Sequence, residues 1–253
     1  MNFYNQTRLV LFITAISFSC TAALCGQTAS VDGRTNRPFE VIVSTFSGKP
    51  LEQQYKYVLQ LSKGLMPEAY VRRAGPSGFP HFGDLARELM AQNHFELMRE
   101  LLKRREIDWE DYYTVGGLLA DKLDPATFKI LLTNSSPETP DATNDTGQIS
   151  GTNIISQEGY PEFSSGLLCP YLKSDSYGDS AEKHLIRILR EHKRTGARAA
   201  AAQALGYAKS EEAVKALEEA TKDKGYTPTS NGQFDYVNEW AEESLKNIRK
   251  RQK

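Results

Sequence analysis

The chain has 253 residues, with 31 basic and 32 acidic side chains and a formal net charge of −1. The length allows one or two domains. A balance this close excludes the strong positive field on which nucleic-acid binding depends, so no nucleic-acid partner is expected.

At the N-terminus Arg8 precedes an apolar run over 9–18. Ser19, Cys20, Thr21, Ala22 and Ala23 follow, and no acidic residue appears before Asp32. A positive start, an apolar middle and a small-residue end is the order of a secretory signal peptide, assigned here to residues 1–26. The expected location is secreted or periplasmic. The run is short beside the ~20 apolar residues of a membrane span. Membrane association is therefore expected only through a retained or lipidated N-terminus, with Cys20 or Cys25 as the lipidated thiol. Removal of 1–26 leaves Cys169 as the one cysteine. One thiol builds no intramolecular disulfide framework, and Cys169 reads as a small buried hydrophobe.

Residues 27–49 read as a linker or extended segment. The part over 39–46, rich in β-branched and aromatic residues, fits a strand or an extended stretch packed on helices. A helical region follows over 50–133. Pro50 suits a helix start, because its missing amide is not needed in the first turn. Leu51, Tyr55, Val58, Leu59 and Leu61 then give an apolar face to about residue 63. A short helix is expected over 66–71, and the Gly/Pro-rich stretch over 75–80 breaks it. Helical spacing resumes over 82–91 and again over 95–104, with Asn93 and Glu96 as a cap pair for the second of these. Asp108 caps a helix running to 119 or 122. Asp124 and Pro125 are a cap and a first-turn proline for a helix to about 132.

Residues 134–175 are expected to be a flexible insertion or linker. The stretch over 134–160 holds Ser135, Ser136, Pro137, Thr139, Pro140, Asn144, Asp145 and Gly147, and few large apolar residues, so ordering it gains little. A second insertion is expected over 225–233, where Tyr226, Thr227, Pro228, Asn231 and Gly232 are loop formers.

Residues 176–253 contain one pattern twice, forty positions apart, over 197–208 and 237–248. The first copy is dominated by alanine, the best helix former, with Leu205 as its large side chain. Gly206 stands where a left-handed C′ glycine would end the helix. Ser210 can cap the next helix, and Glu211 and Glu212 suit its positive end. Ala213, Val214, Leu217 and Ala220 follow at helical spacing. Two helices with one apolar stripe each must stack on neighbours to bury those stripes. The fold class expected is all-α, an α-α superhelix interrupted by a flexible insertion.

This last part resembles the HEAT-like repeats of the phycobilisome-lyase type. Arg198, Ala200, Ala201, Ala204, Leu205 and Gly206 match the first half of that pattern, and Ala213, Val214 and Leu217 match the second. The later copy keeps Val237, Ala241 and Leu245. It departs at Asn238, Trp240, Ser244 and Lys246, as a terminal capping repeat does. The resemblance covers roughly the last seventy residues. It implies paired helices, a ladder-forming role for Arg198 with Asp223 as its ion partner, and an assembly or interaction module. The bilin-lyase activity in the family's name is disfavoured by the export signal and the short coverage.

No nucleophile elbow, phosphate loop, dinucleotide fingerprint or His-Glu-x-x-His frame occurs. No catalytic, cofactor-binding or metal-binding residue is therefore assigned, and no cofactor is expected. His81, His94, His184 and His192 read as surface or packing residues. Asp108, Glu110, Asp111, Glu211 and Glu212 read as helix starts. Lys246, Arg249, Lys250, Arg251 and Lys253 read as a solvated helix end, with contact to acidic partners or lipid headgroups as the alternative. Tyr226, Phe234, Tyr236 and Trp240 cluster about the second insertion. Aromatic side chains of this kind are enriched at binding hot spots and also close terminal repeats. The function expected is protein–protein interaction or scaffolding, with these four residues toward a protein partner. The alternative is an enzyme or small-ligand protein with its site around Gly75 to Phe82, beside His81.

Overall fold

The computed structural model describes residues 43–62, 82–138, 160–228 and 234–252, with backbone alone for 227–228 and 234–235. The signal peptide expected over 1–26, the expected helix over 66–71 and the alternative site over 75–81 lie outside them. The protein is all-α. Its helices are α1 (Leu51–Ser62), α2 (Phe82–Ala91), α3 (Phe95–Arg104), α4 (Trp109–Ala120), α5 (Pro125–Asn134), α6 (Tyr160–Leu167), α7 (Cys169–Leu172), α8 (Gly178–Glu191), α9 (Thr195–Leu205), α10 (Glu211–Ala220) and α11 (Val237–Arg251). One antiparallel pair, β1 (Tyr226–Pro228) and β2 (Phe234–Tyr236), stands between α10 and α11.

Local chemistry accounts for most boundaries. Asp108 accepts from Glu110 N at 3.1 Å and starts α4. Asp124 accepts from Thr127 N at 2.8 Å and Thr127 Oγ1 at 2.7 Å, with Pro125 in the first turn of α5. Ser210 accepts from Ala213 N at 3.0 Å and starts α10. Each cap satisfies an amide that the helix itself leaves open.

Three expectations of detail are corrected. Over 43–46 there is no strand: Phe46 N donates to Val43 O at 2.9 Å in a helical turn, and both side chains are buried. The remainder of that stretch, 39–42, lies outside the described residues. Asn93 does not cap α3. It takes a left-handed φ of 62° and ends α2, with His94 N donating to Leu89 O and Asn93 N to Met90 O. This is the left-handed helix ending, which asparagine tolerates better than other residues with a Cβ. The linker assigned to 134–175 is not linker over 160–172, where α6 and α7 form. Tyr160, Pro161, Ser164, Ser165, Leu167, Leu168, Tyr171 and Leu172 are buried there. Residues 139–159 lie outside the described residues.

The helices touch both their immediate neighbours and the next but one. One row runs α2, α4, α6, α9, α11. A second runs α1, α3, α5, and α8 with α10 lies beside the later members of the first row. Ser135, at the end of α5, bonds His184 of α8 at 2.9 Å. The described helices belong to one compact unit spanning Pro38–Lys253.

The buried apolar side chains of the described helices form one continuous core. Leu97, Met98, Leu101 and Leu102 of α3 are at most 1% exposed. Side chains of this size gain about 1.5–3 kcal/mol each on full burial. Alanines line α9, with Ala197, Ala199, Ala201, Ala202 and Ala204 buried. That narrow surface lets α6, α8 and α11 close on α9 from different sides. No helix among the described residues is long and apolar enough to cross a membrane.

Candidate partner-binding surface

The second insertion is shorter as a loop than expected, because its two flanks pair. Tyr226 stands opposite Tyr236, Thr227 opposite Asp235 and Pro228 opposite Phe234. The base of this ribbon is held by one ion pair. Arg198 Nε donates to Asp223 Oδ2 at 2.8 Å and Nη2 to Oδ1 at 3.3 Å. Arg198 Nη1 also donates to the carbonyls of His192 at 2.8 Å and Lys193 at 3.1 Å. The Arg198–Asp223 pairing expected from sequence is thus present, and it also secures the α8–α9 loop.

Burial pushes the Asp223 carboxyl up. The Arg198 guanidinium and the Gly225 amide more than offset this and hold it below the usual carboxylate range. Gly225 N donates to Asp223 Oδ1 at 2.8 Å, and Gly225 O accepts from Val237 N at 3.1 Å. A Cβ at Gly225 would lie 2.7 Å from Arg198 Nη2 and 2.9 Å from Thr195 Cγ2. Only glycine lets the guanidinium pass so near the chain.

On this base Tyr226 is 55% exposed, and its ring centroid lies 5.7 Å from that of Tyr236 at an interplanar angle of 48°. Tyr236 is half-buried and is the N-cap residue of α11. Trp240, one turn into α11, is half-buried and packs against the core. Of the four residues picked from sequence, Tyr226 and Tyr236 have their rings in contact, whereas Trp240 packs inward against the core. Phe234 falls in β2, opposite Pro228, and its side chain lies outside the described residues.

The buried polar groups elsewhere join helices. Tyr112 Oη lies 2.6 Å from Ser164 Oγ, and Asn134 Nδ2 donates to Tyr112 Oη and to Leu102 O, both at 3.0 Å. Ser62 Oγ donates to Asp111 Oδ2 at 2.5 Å, and burial raises the Asp111 carboxyl to about 6. Asp111 is therefore more than a helix-start acid, a role that periodicity in the sequence cannot signal. The Ser135 hydroxyl donates to Leu131 O at 2.7 Å and meets His184 Nε2. Burial lowers His184 to about 4, so the ring is neutral near pH 7. Ser135 is fully buried and its proton is committed to Leu131, an arrangement that closes a helix end and exposes no nucleophile.

His192 is buried as the C-cap of α8, and its Nδ1 accepts from Arg194 N at 3.0 Å. His94 packs edge-on to Phe46 at 5.8 Å, and burial lowers its pKa. Cys169 is half-buried at the start of α7, less enclosed than expected. His81 lies outside the described residues, and Phe82 opens α2 with its ring packed against the core. Among the described residues no three His, Cys, Asp or Glu side chains gather as a metal-ligand set.

No family model matches this chain, and no curated protein or solved structure matches it.

Proposed function

We propose that this protein is an exported scaffold of HEAT-like helical repeats that binds another protein through the aromatic ribbon between α10 and α11. The observation that carries the reading is Tyr226. Closure of the last helices is achieved by Val237 and Trp240, yet Tyr226 stays more than half exposed on a ribbon fastened by Arg198 and Asp223. A rigid, amphipathic ring held outward presents contact area with little ordering left to do on binding. The pairing of neighbouring and next-but-one helices supports a repeat array, and the residue pattern over 1–26 supports export.

The test places a photo-crosslinking phenylalanine analogue at position 226 and, separately, at Lys215 on the exposed side of α10, in cells that make the full chain. A discrete crosslinked protein that appears from 226 and not from 215, and that disappears on Tyr236→Ala, is the expected result. Identical products from both positions, or none from 226 in a folded and exported chain, would overturn the reading.

A further inference from the structure

Tyr207 is the other exposed large hydrophobic among the described residues, at 46%. It follows the C-terminus of α9, whereas the ribbon packs by the first turn of α9, where Gly225 lies against Thr195 and Arg198. Two cations from separate helices converge on the Tyr207 ring. Lys173, at the C-cap of α7, holds Nζ 4.0 Å from the ring centroid. Arg251, the last residue of α11, holds Cζ at 5.7 Å and donates from Nη2 to Gly206 O. Lys173, Lys250 and Arg251 are all exposed, and none has a carboxylate within ion-pair distance among the described residues.

The ends of helices account for one Arg–carbonyl bond here. They do not account for two unneutralised cations fixed about one exposed aromatic ring. Some exposed cations of the helices pair with acids, as Arg190 does with Glu219, and others such as Lys129 and Lys215 stand in no ion pair among the described residues; what sets Lys173 and Arg251 apart is that both lie over one exposed ring. A guanidinium has five N–H donors in a planar fork, and the bond to Gly206 uses one of them. The remaining donors match a carboxylate, and the ring and the carbonyl fix the fork before any ligand arrives.

The geometry points to a second interaction surface, made by Lys173, Tyr207 and Arg251, that takes an acidic peptide segment of a partner protein. A lipid surface fits less well, because carboxylates are interspersed in the same chain segments: Glu182 accepts from Lys209 N, two residues after Tyr207, at 3.3 Å, and the exposed Asp175 is two residues after Lys173. A linear peptide can place carboxylates on the two cations and an apolar side chain on the ring while it bypasses Glu182. The surface is separate from the Tyr226 ribbon, so the two readings stand or fall independently.

The experiment uses the full chain and a fluorescent peptide of ten glutamates, with a ten-glutamine peptide as reference and fluorescence anisotropy as the readout. The Lys173→Gln/Arg251→Gln double variant is expected to weaken binding at least tenfold, and Tyr207→Ala about threefold, with Tyr226→Ala unchanged. Lys56→Gln/Lys103→Gln removes the same charge from α1 and α3 and is expected to leave binding within twofold. Circular dichroism of each variant separates lost binding from lost folding, and the single changes Lys173→Gln and Arg251→Lys, read if the double variant unfolds, are each expected to weaken binding by a smaller factor than the tenfold of the pair. Equal binding of the glutamine peptide, equal weakening by the α1/α3 pair, or tighter retention on phosphatidylserine vesicles than on the peptide would each overturn the proposal.

Discussion

At Gly206 the reason for a glycine is a neighbour and not a dihedral. A left-handed helix ending is the usual explanation for glycine at that position, yet its φ is −54° and ψ −16°, ordinary right-handed values. A Cβ there would lie 2.8 Å from Ser244 Oγ, 3.0 Å from Gln203 O and 3.2 Å from Ser244 Cβ. Ser244 is itself fixed, since its hydroxyl donates to Ala202 O at 2.8 Å. The glycine lets α11 lie against the end of α9. Gly206→Ala is therefore expected to destabilise the fold by about 1–3 kcal/mol, as overpacking does, despite the small gain that alanine brings at a compatible dihedral. Thermal denaturation measures it, and Gly206→Ala/Ser244→Gly is expected to lose less than the two single changes added together. An unchanged or raised melting temperature in Gly206→Ala would show that the two helices do not need that approach. The identity of the residue was legible in the sequence, but its purpose was not, because the contact comes from Ser244, far along the chain.

At the scale of elements, α6 is where composition misleads. Its sequence, Tyr160 to Leu167, includes two serines and a glycine, and next to a polar stretch it reads as more of the same. In the fold those small residues are what permit a central helix. Ser164 and Ser165 are fully buried, and α4, α5 and α9 all pack on α6. Gly116 of α4 makes the same provision from the other side, since a Cβ there would lie 2.4 Å from Leu167 Cδ1. The hydroxyls are satisfied internally: Ser165 donates to Pro161 O at 2.7 Å and Ser164 meets Tyr112. Tyr112→Phe removes the shared oxygen and leaves Ser164 short of a partner and Asn134 with only its Leu102 bond. The expected loss is about 1–3 kcal/mol, the desolvation cost of a buried group left unpaired. Urea unfolding measures it. Adding Ser164→Ala is expected to cost little more, because the orphaned hydroxyl is gone; a fully additive double variant would sink the idea of one connected network. By contrast α2, α3, α4 and α5 were legible almost to the residue, since their apolar spacing and the caps of α4 and α5 are local, although the cap expected for α3 was not found.

For the molecule as a whole, two partly buried groups set opposing pH responses. Burial raises Asp111 from 3.8 to about 6 and lowers His184 from 6.5 to about 4. Between about pH 4 and 6 the folded chain keeps a proton on Asp111 that the unfolded chain has released. That group makes stability fall as pH rises. Over nearly the same window the folded chain lacks a proton on His184 that the unfolded chain binds, so that group makes stability rise with pH. Each effect is on the order of 3 kcal/mol before solvent screening, and the two largely cancel. Asp111→Asn is expected to uncover the His184 slope, giving stability that climbs from pH 4 to pH 6 more steeply than in the parent chain. Urea midpoints at pH 4, 5 and 6 decide this, and superimposable profiles for variant and parent would sink it.

Neither response could be foreseen from order along the chain, since burial is a property of the assembled rows. What the sequence by itself determined is the all-α class, the capped starts of α4, α5 and α10 and the alanine face of α9. Each follows from chemistry within a turn or two. Only the tertiary structure decided that α6 is core and that Gly206 is a point of close approach. It alone brought Tyr226 out while Trp240 went in, and Lys173 and Arg251 to one ring. Those outcomes depend on which helix lies beside which, and that is settled by the summed burial of many side chains far apart in the chain.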